Sequence, residues 1–265
     1  MREEGTMPRQ KKIVFPYYYS PGKKLVNVVA KIRDEPGALA NLLKGISPMV
    51  NLLGSSSYGI GGGKAIFSGF AETLFHTDSA DSIRATLDEL PDVLDYQVWE
   101  SHDGLLVDWF HTGLQSANGE EYIMFPAKSF AGTFEQVMEA LGPTGGDTLL
   151  FLEGKRFAET RFTMYREMLG PNPSGRVEEA SKIFEALGYG SSTIKLEDSG
   201  KTVRLIQEDC FECSGPSRRG RTCSFTRGVA VGSFGALTGR EFICEEVKCR
   251  LKGAKLCEFV LTQKK

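Results

Sequence analysis

The N-terminal part of the chain alternates between apolar patterns typical of strands and patterns typical of amphipathic helices. Residues 23–32, KKLVNVVAKI, are rich in branched apolar side chains and predict a strand. The stretch RDEPGALANLLKGISPMV then predicts a loop that enters a helix, with Asp34 as its cap and Pro36 at an early helical position. Helical spacing gives this helix an apolar face formed by Leu39, Leu42, Leu43 and Ile46.

Three further strands and a second helix are predicted before residue 101. NLLGSSSYGI and KAIFSGFAETLF predict two strands that flank a turn at residues 61–63. SADSIRATLDELPDV predicts a helix with Ile83, Leu87 and Leu90 on one face, and VLDYQVWES predicts a last strand. The resulting order, βαββαβ, suits a small antiparallel sheet with two helices on one face.

The second half opens with helical patterns and closes with strands. FAGTFEQVMEALG, KRFAETRFTMYREML and RVEEASKIFEALG predict three helices that end at or near a glycine. SSTIKLED with KTVRLIQEDCFE predicts one hairpin, and EFICEEVKC with LCEFVLTQ predicts another. Between them, SFTRGVAVGSFGALTG predicts a helix whose Gly228, Gly232 and Gly235 mark a face that another element approaches closely.

Length and composition are those of a soluble globular protein with two ordinary domains. The chain has 265 residues, of which 41% are hydrophobic and 25% charged, and its formal net charge is -2. This charge leaves no electrostatic footprint for nucleic acid, so direct nucleic-acid binding is not expected. No run approaches the ~18 apolar residues of a membrane helix, so we expect no membrane partner and a cytoplasmic location.

A linker between the two domains is predicted at residues 102–120, where periodicity is lost and polar breakers accumulate. The expected organisation is an N-terminal extension over residues 1–22 and a first domain over residues 23–101. The second domain is expected over residues 121–265.

All six cysteines lie in the last quarter of the chain. A cytosolic protein has little use for disulfides, so this clustering favours metal ligation or redox chemistry. Glu246 and Cys249 stand at the end of one predicted strand and Cys257 begins the returning strand, so the hairpin can turn all three toward one point. Cys223 precedes the glycine-containing helix, whose dipole favours a thiolate, and can supply a fourth ligand for zinc.

Spacing alone leaves three other interpretations of the cysteines open. Cys210-x-x-Cys213 has the shape of half a zinc knuckle and, with Cys249 and Cys257, would form an all-thiolate site. The Cys210–Cys213 pair could instead undergo reversible oxidation. Finally, the cysteines could be small buried hydrophobic residues.

The βαββαβ order and the run RDEPGALANLL resemble the ACT domain, a regulatory module that often binds amino acids. Family members place a ligand against the loop and the start of the first helix. The resemblance covers residues 23–101 and implies a ligand site at Asp34, Pro36, Gly37 and Ala38. It also implies that two copies of the domain can pair.

Residues 125–263 resemble the 4-vinyl reductase domain, a ligand-binding module of bacteriochlorophyll-synthesis proteins, archaeal hydrocarbon-binding proteins and sensor domains of aromatic-responsive transcription activators. The resemblance rests on the element order and on the run C-S-F…G-x-x-x-G…G-R…E-x-x-C…G-x-x-x-C-E-F. In zinc-binding members three cysteines and a glutamate hold the metal, which implies a zinc site at Cys223, Glu246, Cys249 and Cys257. Four protein ligands leave no open position, so this zinc would be structural.

The same resemblance implies a pocket for a small apolar or aromatic ligand between helices and sheet. Its candidate lining residues are Phe157, Met164, Val203, Leu205, Phe225, Phe242 and Cys244.

These features predict an α+β fold, with a ferredoxin-like ACT domain followed by a 4-vinyl reductase-like domain whose helices pack on an antiparallel sheet. The expected function is a non-catalytic, homodimeric, cytosolic ligand sensor whose ACT domain serves amino-acid binding or dimerisation. A reductase or accessory factor in tetrapyrrole biosynthesis is the enzyme alternative, although the chain lacks a dinucleotide fingerprint and a haem-attachment signature. A dimeric scaffold with an empty pocket, as in trafficking-complex subunits of similar fold, is the third hypothesis.

Overall fold

The computed structural model describes residues 10–14, 16–74, 80–169, 177–214 and 222–264. They belong to two compact units, Met1–Ile123 and Met124–Lys265. The division falls just beyond the interval 102–120 that the sequence marks as a linker. Among the described residues, no helix is both long enough and apolar enough to cross a membrane.

The first unit is a mixed arrangement of strands and two helices. Its elements are β1 (Tyr17–Tyr19), β2 (Leu25–Arg33), α1 (Ala38–Ile46), β3 (Val50–Gly61), β4 (Lys64–Thr73), α2 (Ala80–Asp88), β5 (Val93–Glu100), β6 (Leu105–Val107), β7 (Leu114–Gln115) and β8 (Glu121–Tyr122). From β2 to β5 the predicted βαββαβ order is confirmed. These four strands form one antiparallel sheet in the order β3-β4-β2-β5, the split arrangement of ferredoxin-like folds.

Strand β2 is buried along most of its length because both faces of the sheet are covered. Successive side chains of a strand point to opposite faces. Val26 and Val28 therefore face α1 and α2 in the main core of the unit. Leu25 points the other way and packs with Phe70 and Leu106. The continuous apolar run of β2 thus reflects a strand covered on both sides.

The first helix begins later than the sequence predicts. Helix α1 starts at Ala38, and Gly37 precedes it with a φ of 96° and no side-chain cap. Asp34 is therefore not the helix cap, and Pro36 lies before the helix. The reason is that Gly37 adopts a left-handed conformation that glycine tolerates at little cost, so the backbone turns into the helix without a capping side chain.

Short strands occur in the segments predicted as extension and linker. Strand β1 pairs with β6 in a two-stranded sheet, with Tyr18 opposite Leu106. Strand β7 pairs with β8 in another. Each has only two or three residues, too few to establish a period-two pattern in the sequence.

The second unit places helices against one antiparallel sheet. Its elements are α3 (Ala127–Leu169), α4 (Val177–Ala186), β9 (Ser192–Glu197), β10 (Thr202–Gln207), α5 (Ser224–Thr238), β11 (Phe242–Lys248) and β12 (Cys257–Gln263). The sheet order is β11-β12-β10-β9. Both predicted hairpins are confirmed by the antiparallel pairing of β9 with β10 and of β11 with β12.

Helix α3 contains a break at Gly142, whose φ of 71° and ψ of 170° are not helical. Two helices were predicted in this region, but the second begins at Pro143 rather than near Lys155. Proline suits a first helical turn because no intrahelical partner exists there for a backbone N–H. The glycines of the segment PTGGD obscure this early start in the sequence.

The glycines of α5 lie against α3, as the sequence predicts. A Cβ atom on Gly228 would lie 2.0 Å from the carbonyl oxygen of Phe151, and one on Gly232 would lie 2.3 Å from that of Lys155. A Cβ on Gly154 of α3 would collide equally with the backbone of α5. The two helices therefore touch backbone to backbone within one chain.

Candidate functional site

Cysteines from three segments of the second unit converge on one point. Cys213 Sγ lies 3.3 Å from Cys223 Sγ and 3.4 Å from Cys257 Sγ. Cys223 Sγ lies 3.8 Å from both Cys210 Sγ and Cys249 Sγ. The six cysteines of the chain are free, and Cys213 alone among them is not fully buried.

These side chains form two overlapping four-ligand sets, in each of which the ligand atoms lie within 4.8 Å of one another. Both sets contain the shared pair, Cys223 and Cys257. The first set is completed by the thiol pair and the second by the carboxylate pair, namely Cys210 with Cys213 and Glu246 with Cys249. The second set contains the four residues implied by the family resemblance. The first differs from the all-thiolate alternative, since Cys223 stands where Cys249 was expected.

The spacing of these atoms suits a tetrahedral metal ion. A Zn–S bond of about 2.3 Å gives a tetrahedron with edges of about 3.8 Å, close to the observed sulfur separations. Glu246 supports the same conclusion: its Oε2 accepts the Cys223 N–H at 3.1 Å, while its buried Oε1 has no hydrogen-bond partner. A buried, unpartnered carboxylate oxygen is costly unless it binds a cation. The residues present therefore fit a metal ion.

The start of α5 is fixed beside the cluster by two carboxylates. Glu212 is fully buried and accepts the backbone N–H groups of Phe225 and Thr226 at 3.3 and 2.9 Å. Asp147 of α3 accepts hydrogen bonds from the Thr222 and Ser224 hydroxyls. Negative charge at a helix N-terminus is favoured by the helix dipole, so both groups hold Cys223 in place.

Burial and hydrogen bonding shift the acidity of several groups here. Hydrogen bonds with the Cys210 thiol and its neighbours lower the pKa of Cys213 and raise the pKa of Cys223. Cys244 lies outside both sets, and burial raises the pKa of its thiol to about 12. Cys244 therefore has the character of a small buried hydrophobic residue, unlike the cluster cysteines.

A small cavity lies between α4, α5 and the sheet. Its volume is about 10 Å³, roughly the space needed by one water molecule. The walls are largely apolar and are formed by Phe184, Tyr189, Ile194, Leu205, Gln207, Thr226, Val229, Ala230 and Phe234. Gln207 is 2% exposed, and its Oε1 has no hydrogen-bond partner. The cavity therefore combines an apolar wall with one free acceptor.

A second cavity of similar size adjoins the first. Both are lined by Phe184, Tyr189 and Val229, and the second also by Phe157 and Phe162. Aromatic rings fill the surrounding core, with centroid separations of about 5 to 6 Å, for instance 5.6 Å between Phe184 and Tyr189. Rotation of these rings would join the two spaces.

The candidate pocket residues occupy different places. Leu205 lines the first cavity and Phe157 the second. Phe225 packs in the aromatic core. A separate core beneath the sheet contains Val203, Phe242 and Cys244. Met164 belongs to α3, but its side chain lies outside the described residues.

The candidate amino-acid ligands of the first unit lie together on the loop before α1. The Asp34 N–H donates to the Gly63 carbonyl at 2.9 Å, which holds this loop against the β3–β4 turn. Pro36 is exposed and Ala38 is 2% exposed. A Cβ on Gly37 would meet no atom within 4 Å, so the loop leaves open space there.

A hydrogen-bonded chain in the first unit was missed by the sequence analysis. Asp108 lies 2.7 Å from His111 Nδ1, and His111 Nε2 lies 2.8 Å from the Tyr58 hydroxyl. Burial, followed by the charge of Asp108, raises the pKa of Tyr58. The only sequence signal is the i, i+3 spacing of Asp108 and His111, which is common on protein surfaces.

Comparison with known proteins supports one part of the expected organisation. Residues 203–263 match the family model of the vinyl-4-reductase domain. This segment runs from β10 to β12 and includes both the shared pair and the carboxylate pair of the cluster. The match is to the type of domain suggested by the sequence motif, although it covers less than half of the chain. No curated protein matches the chain.

Solved structures offer only distant likenesses. The phenol-responsive sensory domain of the transcription activator PoxR, solved with phenol, has 16% identity and a TM-score of 0.47, covering 55% of this chain and 78% of that one. A trafficking protein particle complex subunit 3 from Naegleria fowleri, covalently bound to palmitic acid, has 14% identity and a TM-score of 0.44, covering 52% and 95%. A vinyl-4-reductase family protein from Methanocaldococcus jannaschii has 18% identity and a TM-score of 0.37, covering 54% and 85%. Likenesses at this level do not assign a function.

Proposed function

We propose that the protein is a non-catalytic sensor that binds a small apolar molecule in its second unit. The observation that carries this proposal is the aromatic-walled cavity with the unpartnered Oε1 of Gln207. A buried acceptor without a partner costs about 1–3 kcal/mol, which a bound donor would recover. The favoured ligand class is therefore a small aromatic or aliphatic molecule with a single hydroxyl or similar donor.

Ligand entry requires rearrangement, because the cavity holds about one water molecule. Phe184 and Tyr189 separate the two cavities, and both belong to the segment formed by α4 and the turn after it. The ligand would bind the form in which these rings have moved and would shift the population toward it. The measured affinity is then lowered by the fraction of molecules in the open form.

A structural zinc at Cys223, Glu246, Cys249 and Cys257 is part of the same proposal. It would tie the start of α5 to the terminal hairpin, and its binding free energy would add to folding stability. Helix α5 carries a cluster ligand just before its first turn and cavity-lining residues further along, such as Val229 and Phe234. Metal and ligand would therefore act on the same helix.

The first unit would serve as an ACT domain, for amino-acid binding at the loop containing Gly37 or for homodimer formation. The βαββαβ order and the open space at Gly37 support the first role. The edge position and exposure of β3 support the second, since an unpaired strand edge is available for pairing with another copy. Calorimetry with each standard amino acid separates the two roles.

Gln207→Leu tests the ligand class. Calorimetry with phenol and with toluene, its close isostere without the hydroxyl, should show a preference for phenol in the native protein. The substitution should reduce that preference about tenfold, because one hydrogen bond of about 1.4 kcal/mol is lost. Gln136→Leu, at a position on α3 that lines neither cavity, should leave the preference unchanged. Absence of binding for both compounds, or an unchanged preference in Gln207→Leu, contradicts the proposal.

The reductase and scaffold alternatives predict different bound molecules. Native mass spectrometry of protein purified from its own source should detect a retained small apolar molecule. A bound redox cofactor would support the enzyme, and a protein with no bound molecule would support the scaffold.

A further inference from the structure

The ligand arrangement of the cysteine cluster exceeds what one metal ion needs. Four ligands complete a tetrahedral site, whereas the two overlapping sets together offer six. A single ion on either set leaves two further ligand side chains beside it. We propose that the cluster binds two zinc ions, with the thiolates of the shared pair, Cys223 and Cys257, bridging them.

The position of Cys223 is the first argument for a bridge. Its sulfur lies at the same 3.8 Å distance from Cys210 of the thiol pair and from Cys249 of the carboxylate pair. This distance matches the ligand–ligand edge of about 3.8 Å in a zinc tetrahedron. A thiolate bound to one ion retains lone pairs for a second, so Cys223 can belong to both tetrahedra.

Cys213 supplies the second argument. Its sulfur lies 3.3 Å from Cys223 Sγ and 3.4 Å from Cys257 Sγ, so it contacts both members of the shared pair. A cysteine that served only as packing would not need to approach two other sulfurs this closely. With Cys210, three residues earlier, it has the spacing of a zinc knuckle.

Charge balance also permits the second ion. The five thiolates and the Glu246 carboxylate carry six negative charges when all are ionised. Two divalent ions reduce this to two negative charges, the same remainder as one ion on four such ligands. Buried charge is tolerated only when it is paired or bound to metal, so the second ion lets the thiol pair ionise without an added penalty.

Metal stoichiometry tests the proposal directly. The full chain is saturated with zinc under reducing conditions and passed over a weak chelator to remove loosely held ions. Zinc is then measured by plasma mass spectrometry against quantitative amino-acid analysis. We expect two zinc ions per chain and a single two-zinc species in native mass spectrometry. One zinc per chain overturns the proposal.

Matched variants locate the ions. The double substitution Cys210→Ser with Cys213→Ser should retain one zinc, and Cys249→Ser should also retain one. Cys244→Ala removes a buried thiol outside both sets and should retain two. If the double substitution has the zinc content of the native chain, the thiol pair is not a ligand and the proposal fails. That result leaves the structural zinc of the proposed function intact.

Bridging has a spectroscopic signature that does not depend on whether a variant folds. NMR of the cadmium-loaded native chain should show two cadmium resonances with a scalar coupling between the metals, transmitted through the bridging sulfurs. Two uncoupled resonances, or a single one, would exclude the shared-thiolate arrangement.

Discussion

Gly228→Ala is expected to destabilise the second unit, although alanine is the better helix former. Intrinsic propensity favours alanine over glycine by about 1 kcal/mol in a helix interior. The new Cβ, however, would lie 2.0 Å from the Phe151 carbonyl oxygen and 2.8 Å from the Lys155 nitrogen. Both contacts are far inside the ~3.5 Å optimum, and both neighbours are backbone atoms that cannot rotate away. Helices α3 and α5 must separate instead.

The net effect follows from these opposing contributions. Overpacking of a rigid interior costs about 1–3 kcal/mol or more, and backbone obstruction places Gly228 at the upper end. After the gain in propensity, we expect a loss of about 2 kcal/mol, or about 4–8 °C in Tm for a unit of this size. Denaturant unfolding followed by circular dichroism measures the free energy, with the zinc content of each sample held constant.

Two control substitutions isolate the contact from the propensity. Gly235→Ala lies on the same helix, but its Cβ would meet its nearest atom, the Arg240 carbonyl oxygen, at 3.4 Å. Gly132→Ala lies on α3 with no atom within 4 Å. Both should be neutral or stabilising by up to about 1 kcal/mol. If Gly228→Ala is as stable as Gly132→Ala, the backbone contact between α3 and α5 does not exist in solution.

Three further predictions concern other parts of the molecule. Burial by itself raises the pKa of Asp147, but hydrogen bonds from Ser224, Arg227 and Thr222 outweigh it and lower the pKa. A lowered folded-state pKa gives stability that is present above the usual value of about 4, so the stability advantage of the native chain over Asp147→Asn should shrink as pH falls through the folded pKa; a pH-independent difference would contradict this. Gly37→Ala should cost about 1–2 kcal/mol in thermal unfolding because its φ is 96°, whereas Gly113→Ala, at a glycine without positive φ, should be milder; equal effects would refute the strain argument. Light scattering should show a homodimer that pairs through β3, and a monomer at micromolar concentration would exclude it.

Much of the fold could be predicted because its apolar patterns are long and regular. The βαββαβ order of the first unit follows from alternating periods in segments of eight or more residues. The features that were missed depend on contacts rather than pattern. Strand β6 has three residues, and its strand character comes from pairing with β1. The early start of the second part of α3 was hidden because Pro143 and the glycines after it resemble a loop in the sequence.

The candidate site was only partly predictable, for a related reason. Spacing along a hairpin can bring Glu246, Cys249 and Cys257 together, and the structure does so. Spacing cannot show that the turn after β10 brings Cys210 and Cys213 to the same point, because that depends on packing between distant segments. Gln207 was not singled out at all, since a glutamine at the end of an apolar strand gives no sign that its carbonyl oxygen lacks a partner.

Helix α5 gives the proposed sensor a physical route between metal and ligand. Its first turn is held by Cys223 and Glu212, and its middle lines the cavity through Val229 and Ala230. The glycine contact with α3 prevents this helix from yielding locally, because backbone atoms on both sides leave no slack. A ligand that shifts α5 must therefore also change the geometry at the cluster. Linkage makes such coupling reciprocal, so any ligand that binds more tightly to the zinc-loaded protein must raise its zinc affinity by the same factor.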